Sequence, residues 1–315
     1  MPTTNRKKQK QGRDTAVQGT NDSSVVSKVS AAAQGYFHDI FLQHFVCKVV
    51  RRAPLINRGY YVRWRAVDHC IRRFFQVTEN CPKRQILSLG AGFDSLYFRL
   101  HADEALVRAV VFEVDFPDVA RRKTALINSN ITLKGMLDAH LPCPGPVHVS
   151  SGQYHLLGLD VREESQVVEA LDAAGLDWAA PTLILSEVVL TYMETQWSDV
   201  VISWAAKLLP QSLFVMYEQI HPDDPFGRIM QDHFLKLNST LHALRQYPDT
   251  AAQRRRFLDK GWEQCVCLDM NDFYLGLVPE EERCRVEVLE PFDEYEVRLL
   301  KCGDHFTMRQ VTGTT

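Results

Sequence analysis

Gln85-Ile86-Leu87-Ser88-Leu89-Gly90-Ala91-Gly92-Phe93-Asp94 carries a short, largely apolar strand straight into two glycines one residue apart. Glycine at the carboxyl end of a first strand lets a ligand come close to the backbone, at the edge where open α/β sheets bind small molecules. Position 95 is Ser95, so the third glycine of the dinucleotide fingerprint is missing. A pyrophosphate needs a closely presented helix amino terminus. An adenosyl ligand without phosphates, such as S-adenosylmethionine, needs only room for its methionine portion.

Outward from this stretch, Ala109–Phe112, Tyr154–Leu159, Thr182–Leu185 and Leu213–Tyr217 are further short apolar runs separated by helical ones. Such alternation is what a parallel sheet covered on both faces requires. Cys265–Met270, Arg285–Leu289 and His305–Gln310 read as later strands, with a helix near Asn271–Leu277. Between Ser27 and Thr78 the apolar positions Tyr60, Trp64, Val67 and Ile71 recur at helical spacing, among arginines 51, 52, 58, 63, 65, 72 and 73. Two or three helices are therefore expected ahead of the sheet. A long helix Phe226–Ala243 opens an insertion, 226–260, expected to lie over the site.

The strand ends carry acids. Phe112-Glu113-Val114-Asp115 places a carboxylate roughly 20 to 25 residues beyond the glycines, where it can accept hydrogen bonds from a ribose diol. Asp115 is preferred to Glu113, although both fall on one face of the strand. In Gly158-Leu159-Asp160-Val161, Asp160 can accept from an adenine amino group between apolar neighbours. Ser186-Glu187-Val188-Val189-Leu190-Thr191-Tyr192 brings Glu187 to a cationic ammonium group; Tyr192 reads either as a site residue or as a core aromatic. The expected fold is α/β: a doubly wound seven-stranded sheet of the class I S-adenosylmethionine-dependent methyltransferase type, its late strands a sixth and a seventh, antiparallel one.

With 315 residues, 45% of them hydrophobic, the chain is long enough to bury a large core. A net charge of −3 and a pI near 6.4 are unlike a dedicated nucleic-acid binder, so any RNA contact must come from a local patch. Arg254-Arg255-Arg256 is such a patch, and equally a solvated helix face. The eight cysteines (47, 70, 81, 143, 265, 267, 284, 302) include no CxxC, and Cys265-x-Cys267 has no accompanying His or Cys, so no metal site or disulfide framework is expected. His155 and His233 read as structural or surface residues. No apolar run approaches the ~18 residues needed to span a bilayer. MPTTNRKKQKQGR carries five basic residues and no acid. Residues 1–25 are expected to be a disordered basic tail, with a nuclear or RNA-contacting role as the alternative, and 26–315 one methyltransferase domain of a cytoplasmic protein.

LSLGAGFDSLYFRL (87–100), EVDFPDVARRK (113–123), GLDVR (158–162), LSEVVLTYM (185–193) and YEQIHPDDPFGRIM (217–230) resemble the leucine carboxyl methyltransferases, essentially from Ser27 to Phe306. GTNDSS (19–24), RGYYVR (58–63), DMNDFY (269–274) and EPFDEYE (290–296) are most similar to the branch of that family that acts on transfer RNA. By position, the resemblance implies that Lys28, Arg63, Gly90, Asp115, Asp160, Val161 and Glu187 contact S-adenosylmethionine. It implies methylation of the side-chain carboxylate on a tricyclic guanosine at position 37 of hypomodified phenylalanine tRNA, followed by methoxycarbonylation of the amine. It also implies a kelch-type propeller beyond the methyltransferase domain, ahead of which this sequence ends at Thr315. The alternative within the family is a protein substrate, the terminal leucine carboxylate of a protein phosphatase 2A catalytic subunit.

A carboxylate is already ionised at neutral pH, so methyl transfer to it needs no general base. An arginine that orients one oxygen, helped by a tyrosine hydroxyl, suits the task. Arg63 is the first candidate, with Arg58 and Tyr192 behind it.

Overall fold

The computed structural model describes residues 2–138, 145–292 and 306–312. Eight strands form one sheet: β1 (Arg84–Leu89), β2 (Ala109–Asp115), β3 (Val147–Ser150), β4 (Tyr154–Gly158), β5 (Thr182–Glu187), β6 (Ser212–Gln219), β7 (Gln264–Asp269) and β8 (Phe306–Thr312). Their order is β3-β4-β2-β1-β5-β6-β8-β7. The five strands from β4 to β6 run parallel. β8 inserts antiparallel between β6 and β7.

Seven of the eight stretches read as strands are strands, and β3 adds an eighth, antiparallel to β4 at the edge. β1 is buried along all six residues, as a central strand covered on both faces must be. Its side chains alternate between two cores: Ile86 joins the cluster under the amino-terminal helices, and Leu87 and Leu89 join the one under Thr195–Leu208. The chain leaves β1 towards β2 on one side and reaches β5 on the other. That reversal opens the crevice in which such sheets hold ligands.

Helix α1 spans Pro2–Ala33, so the segment expected to be a disordered tail is helical and position 25/26 lies inside a helix. Polar composition misleads here because α1 buries Val25 and Val29, one turn apart, and spends its polar groups on ion pairs across the cleft. Helix α2 (Pro54–Val77) starts on a proline, which needs no hydrogen-bonded N–H at that position.

Two later expectations change. Arg285–Leu289 is not a strand: Glu280–Glu287 is a helix, with Glu280, Glu281 and Glu282 in its first turn, where acids favour a helix start. The helix expected over Phe226–Ala243 is broken into Pro225–Lys236 and His242–Gln246, with Asn238 between them in the left-handed region (φ 57°). Residues 293–296 of the EPFDEYE stretch and His305 lie outside the described residues. Among the described residues no helix is long and apolar enough to cross a membrane.

Candidate active site

A cavity of about 1150 Å³ opens at the carboxyl ends of β1, β2 and β5 and is roofed by α1, α2 and the helix Pro225–Lys236. Gly90 and Gly92 lie on its wall in the left-handed region (φ 63° and 54°), and a Cβ on Gly90 would come within 2.6 Å of Val189. Only glycine meets both demands without strain. Gly92 N–H donates to Asp115 Oδ2 at 2.7 Å, and Phe93 N–H donates to Asn21 Oδ1 of α1 at 2.7 Å.

Beside the glycines four charged side chains hold one another. Lys28 Nζ donates to Asp94 Oδ2 at 2.5 Å and to Glu187 Oε2 at 3.1 Å, and Arg63 Nε donates to Glu187 Oε1. Two cations and two anions make the group formally neutral. Burial disfavours charge on all four, but the opposite charges prevail. Lys28 is raised by Asp94 and Glu187, and Arg63 by Glu187. Asp94 is lowered by Lys28, and Glu187 by Arg63 and then Lys28. The Arg63 guanidinium also lies 5.3 Å from the ring centres of both Tyr60 and Tyr217. Val188, next to Glu187, is a β-branched residue at φ 58°, held by its N–H on Tyr217 O at 2.8 Å. Strain of this kind, of order 1–3 kcal/mol, persists where the surroundings over-determine a conformation.

The two acids of β2 separate. Asp115 lines the cavity and accepts from two backbone N–H groups, with burial still pushing its pKa up. Glu113 is in the core, bound by Lys123 Nζ at 2.5 Å and the Tyr154 hydroxyl at 2.7 Å.

Asp160 departs from its expected placement. Leu159, Val161 and Arg162 line the cavity, but Asp160 does not. Arg162 grips its two oxygens through Nε at 2.8 Å and Nη2 at 2.6 Å, and reaches Asp14 of α1 at 3.0 Å. A basic residue two positions on therefore already engages both oxygens of this carboxylate.

Arg58 also departs from the role expected of it. Its guanidinium stacks 3.7 Å from the centre of Phe292 and donates to Glu290 O at 3.1 Å, which ties α2 to the segment after Glu280–Glu287. Tyr192 lines the cavity with its hydroxyl pKa raised by burial, and its ring lies 5.9 Å from Phe234. Together with Phe226 and Met230 it gives this end an apolar wall. Ile56, Ile229 and Leu237 line the same cavity while 43%, 68% and 49% exposed. His233, read from sequence as structural or surface, also lines it.

Of the basic patch, Arg254 and Arg255 are exposed. Arg256 is buried, with Nε 2.8 Å from Asp199 and Nη2 2.5 Å from Ser198 Oγ. His155 stacks on Phe112 at 4.9 Å. Cys265 and Cys267 sulfurs lie 3.6 Å apart, and no cluster suited to a metal ion occurs among the described residues. Sequence reasoning missed Asn21, Arg162 and the role of Asp94. All three stood inside stretches already singled out, Asn21 in GTNDSS, Arg162 in GLDVR and Asp94 four residues past Gly90, but the stretches alone did not show what each side chain holds.

The leucine carboxyl methyltransferase family model matches residues 6–206, more than half of the chain. The chain belongs to the leucine carboxyl methyltransferase family. It is 52% identical over 306 residues to tRNA wybutosine-synthesizing protein 4 of Homo sapiens, covering 95% of this chain and 44% of the human protein. To the leucine carboxyl methyltransferase 1 homolog of Arabidopsis thaliana, it is 37% identical over 286 residues, covering 89% of this chain and 84% of that protein. This family member thus spans less than half the length of the human relative. A putative methyltransferase from Thermobifida fusca superposes with a TM-score of 0.56 at 14% identity, covering 87% of this chain and 93% of that one, and so shares the fold.

Proposed function

We propose that this chain is the methyltransferase domain of a cytoplasmic wybutosine-pathway enzyme, which transfers methyl from S-adenosylmethionine to the side-chain carboxylate of the modified guanosine at position 37 of phenylalanine tRNA. The observation that carries the reading is the neutral group Lys28, Arg63, Asp94 and Glu187 beside a glycine cradle. The amino-acid end of S-adenosylmethionine, an ammonium and a carboxylate, is also neutral, and the two acids suit its ammonium as the two bases suit its carboxylate. Asp115 is then placed for the ribose, Val161 and Leu159 for the faces of the adenine, and Gly90 for close backbone approach. Asp160 joins as an acceptor shared with Arg162. The 52% identity to the human wybutosine protein, against 37% to the Arabidopsis relative, supports a tRNA acceptor over a phosphatase.

When bound, S-adenosylmethionine supplies the methyl group: the S–CH₃ bond breaks as O–CH₃ forms, the electron pair stays on sulfur and no proton moves. The chain's part is positioning, which contributes up to ~7–11 kcal/mol when reacting atoms are held ~3–3.5 Å apart. Arg63, engaged with Glu187, belongs to the cofactor end in this reading. Tyr192, kept protonated by burial, can donate to an acceptor oxygen from the apolar wall, which excludes water from the nucleophile.

The test offers labelled S-adenosylmethionine with hypomodified phenylalanine tRNA and a phosphatase 2A catalytic subunit side by side. Label is expected in the tRNA, and label in the phosphatase alone would overturn the reading.

A further inference from the structure

Six cationic side chains line the cavity: Lys28, Arg52, Arg58, Arg63, Arg99 and Arg162. Five are already engaged. Lys28 and Arg63 belong to the neutral group, Arg99 Nη1 pairs with Asp68 at 2.6 Å, Arg162 with Asp160 and Asp14, and Arg58 with a backbone carbonyl and the Phe292 ring. Arg52 differs. Its Nε is buried without a hydrogen-bond partner, as is that of Arg58, but unlike Arg58 its guanidinium has neither an ion pair nor a carbonyl partner among the described residues. Its backbone, by contrast, is pinned: the N–H donates to Ser30 Oγ at 2.8 Å, and the carbonyl accepts from Asn57 Nδ2 at 3.2 Å. Ser30 lies two residues beyond Lys28 on α1, so the pin fixes Arg52 to the helix that carries part of the neutral group. A buried N–H without a partner is rare in native structures and calls for a ligand or water to explain it.

We propose that Arg52 holds the acceptor's carboxylate. The assignment rests on the reading of this chain as a carboxyl methyltransferase and names the residue that reading lacks, since Arg63 and Arg58 are taken. The charges agree. The neutral group meets a zwitterion, and the Arg52 cation meets the carboxylate that is to be methylated. Guanidinium suits this task because it presents parallel donors to one carboxylate and leaves the oxygen's outer lone pair for attack.

The experiment compares wild type with Arg52→Ala and Arg52→Lys, using the 315-residue chain. Two forms of phenylalanine tRNA are titrated, one bearing the side-chain carboxylate and one with that group amidated, and S-adenosylmethionine affinity is measured by calorimetry. Arg52→Ala is expected to weaken binding of the carboxylate form about 10- to 100-fold, to leave the amidated form within about twofold, and to leave cofactor affinity within about twofold. Arg52→Lys should recover part of the loss. Equal loss on both tRNAs would mark a backbone phosphate contact, loss of cofactor affinity a cofactor residue, and unchanged discrimination no role at all; each overturns the assignment. Should wild type label only the phosphatase, the tRNA reading falls. The same comparison, made on phosphatase ending in a leucine carboxylate or a carboxamide, then decides the role of Arg52 by the same criteria.

Discussion

At the glycine end of the cavity Lys28, Arg63, Asp94 and Glu187 brace one another, whereas the end walled by Tyr192, Phe226, Met230 and Phe234 is apolar and leaves Ile229 and Leu237 exposed. The first end is rigid before any ligand arrives, as suits a ligand that is the same in every turnover. The second offers surface but few fixed polar partners, as suits a large acceptor that completes the wall itself.

Substitutions that separate the ends should show it. Glu187→Ala removes the acid that both Lys28 and Arg63 face, and breaking a buried pair costs about 3–5 kcal/mol. S-adenosylmethionine affinity by calorimetry should fall more than about 100-fold, and a loss under tenfold would mean that this end is not braced for the cofactor. Gly90→Ala puts a Cβ 2.6 Å from Val189 at φ 63°. Cofactor affinity should drop about tenfold and the melting temperature should fall with it, at about 1–3 kcal/mol. Tyr192→Phe should act on the other end, lowering kcat about tenfold with cofactor affinity unchanged; a matching loss of cofactor affinity would erase the distinction.

Removing Arg254 and Arg255 should lower the slope of the salt dependence of tRNA binding by about two at most, roughly one for each phosphate left without its arginine. Arg256→Ala should instead cost stability, because Asp199 is left without its buried arginine.

The smallest effect concerns pH. Asp94 and Glu187 have lowered pKa values, so their stabilisation is present above the ordinary carboxylate value and is lost as pH falls through the lowered one. Cofactor affinity should stay level between about pH 5 and 7, and fall above about pH 8 as the free ligand's α-ammonium loses its proton. A decline between about pH 5 and 7 would mean that these acids are not held ionised by Lys28 and Arg63.

Much of the braced end could be read from the sequence because it sits at strand ends. Gly90, Asp115 and Glu187 each follow an apolar run whose burial fixes where the next residue points. Asp160 was found by the same logic, but a strand pattern does not show that Arg162, two residues on, turns back onto it. The acceptor end was harder. Tyr192, Phe234 and Arg52 come to line one cavity only through tertiary folding, and no local period relates them. The α1 segment misled for a physical reason: polar residues such as Asp14 and Asn21 contribute through partners more than seventy residues away. Composition alone reads such a segment as unable to pack.

The most direct measurement follows the transferred methyl group. Tritiated S-adenosylmethionine and hypomodified phenylalanine tRNA are incubated with the chain, and the labelled tRNA is then treated with mild alkali. A carboxyl methyl ester is predicted, so the label should leave as methanol. Label that survives alkali on the base or ribose would contradict the account, because it would place the methyl on nitrogen or on a hydroxyl oxygen.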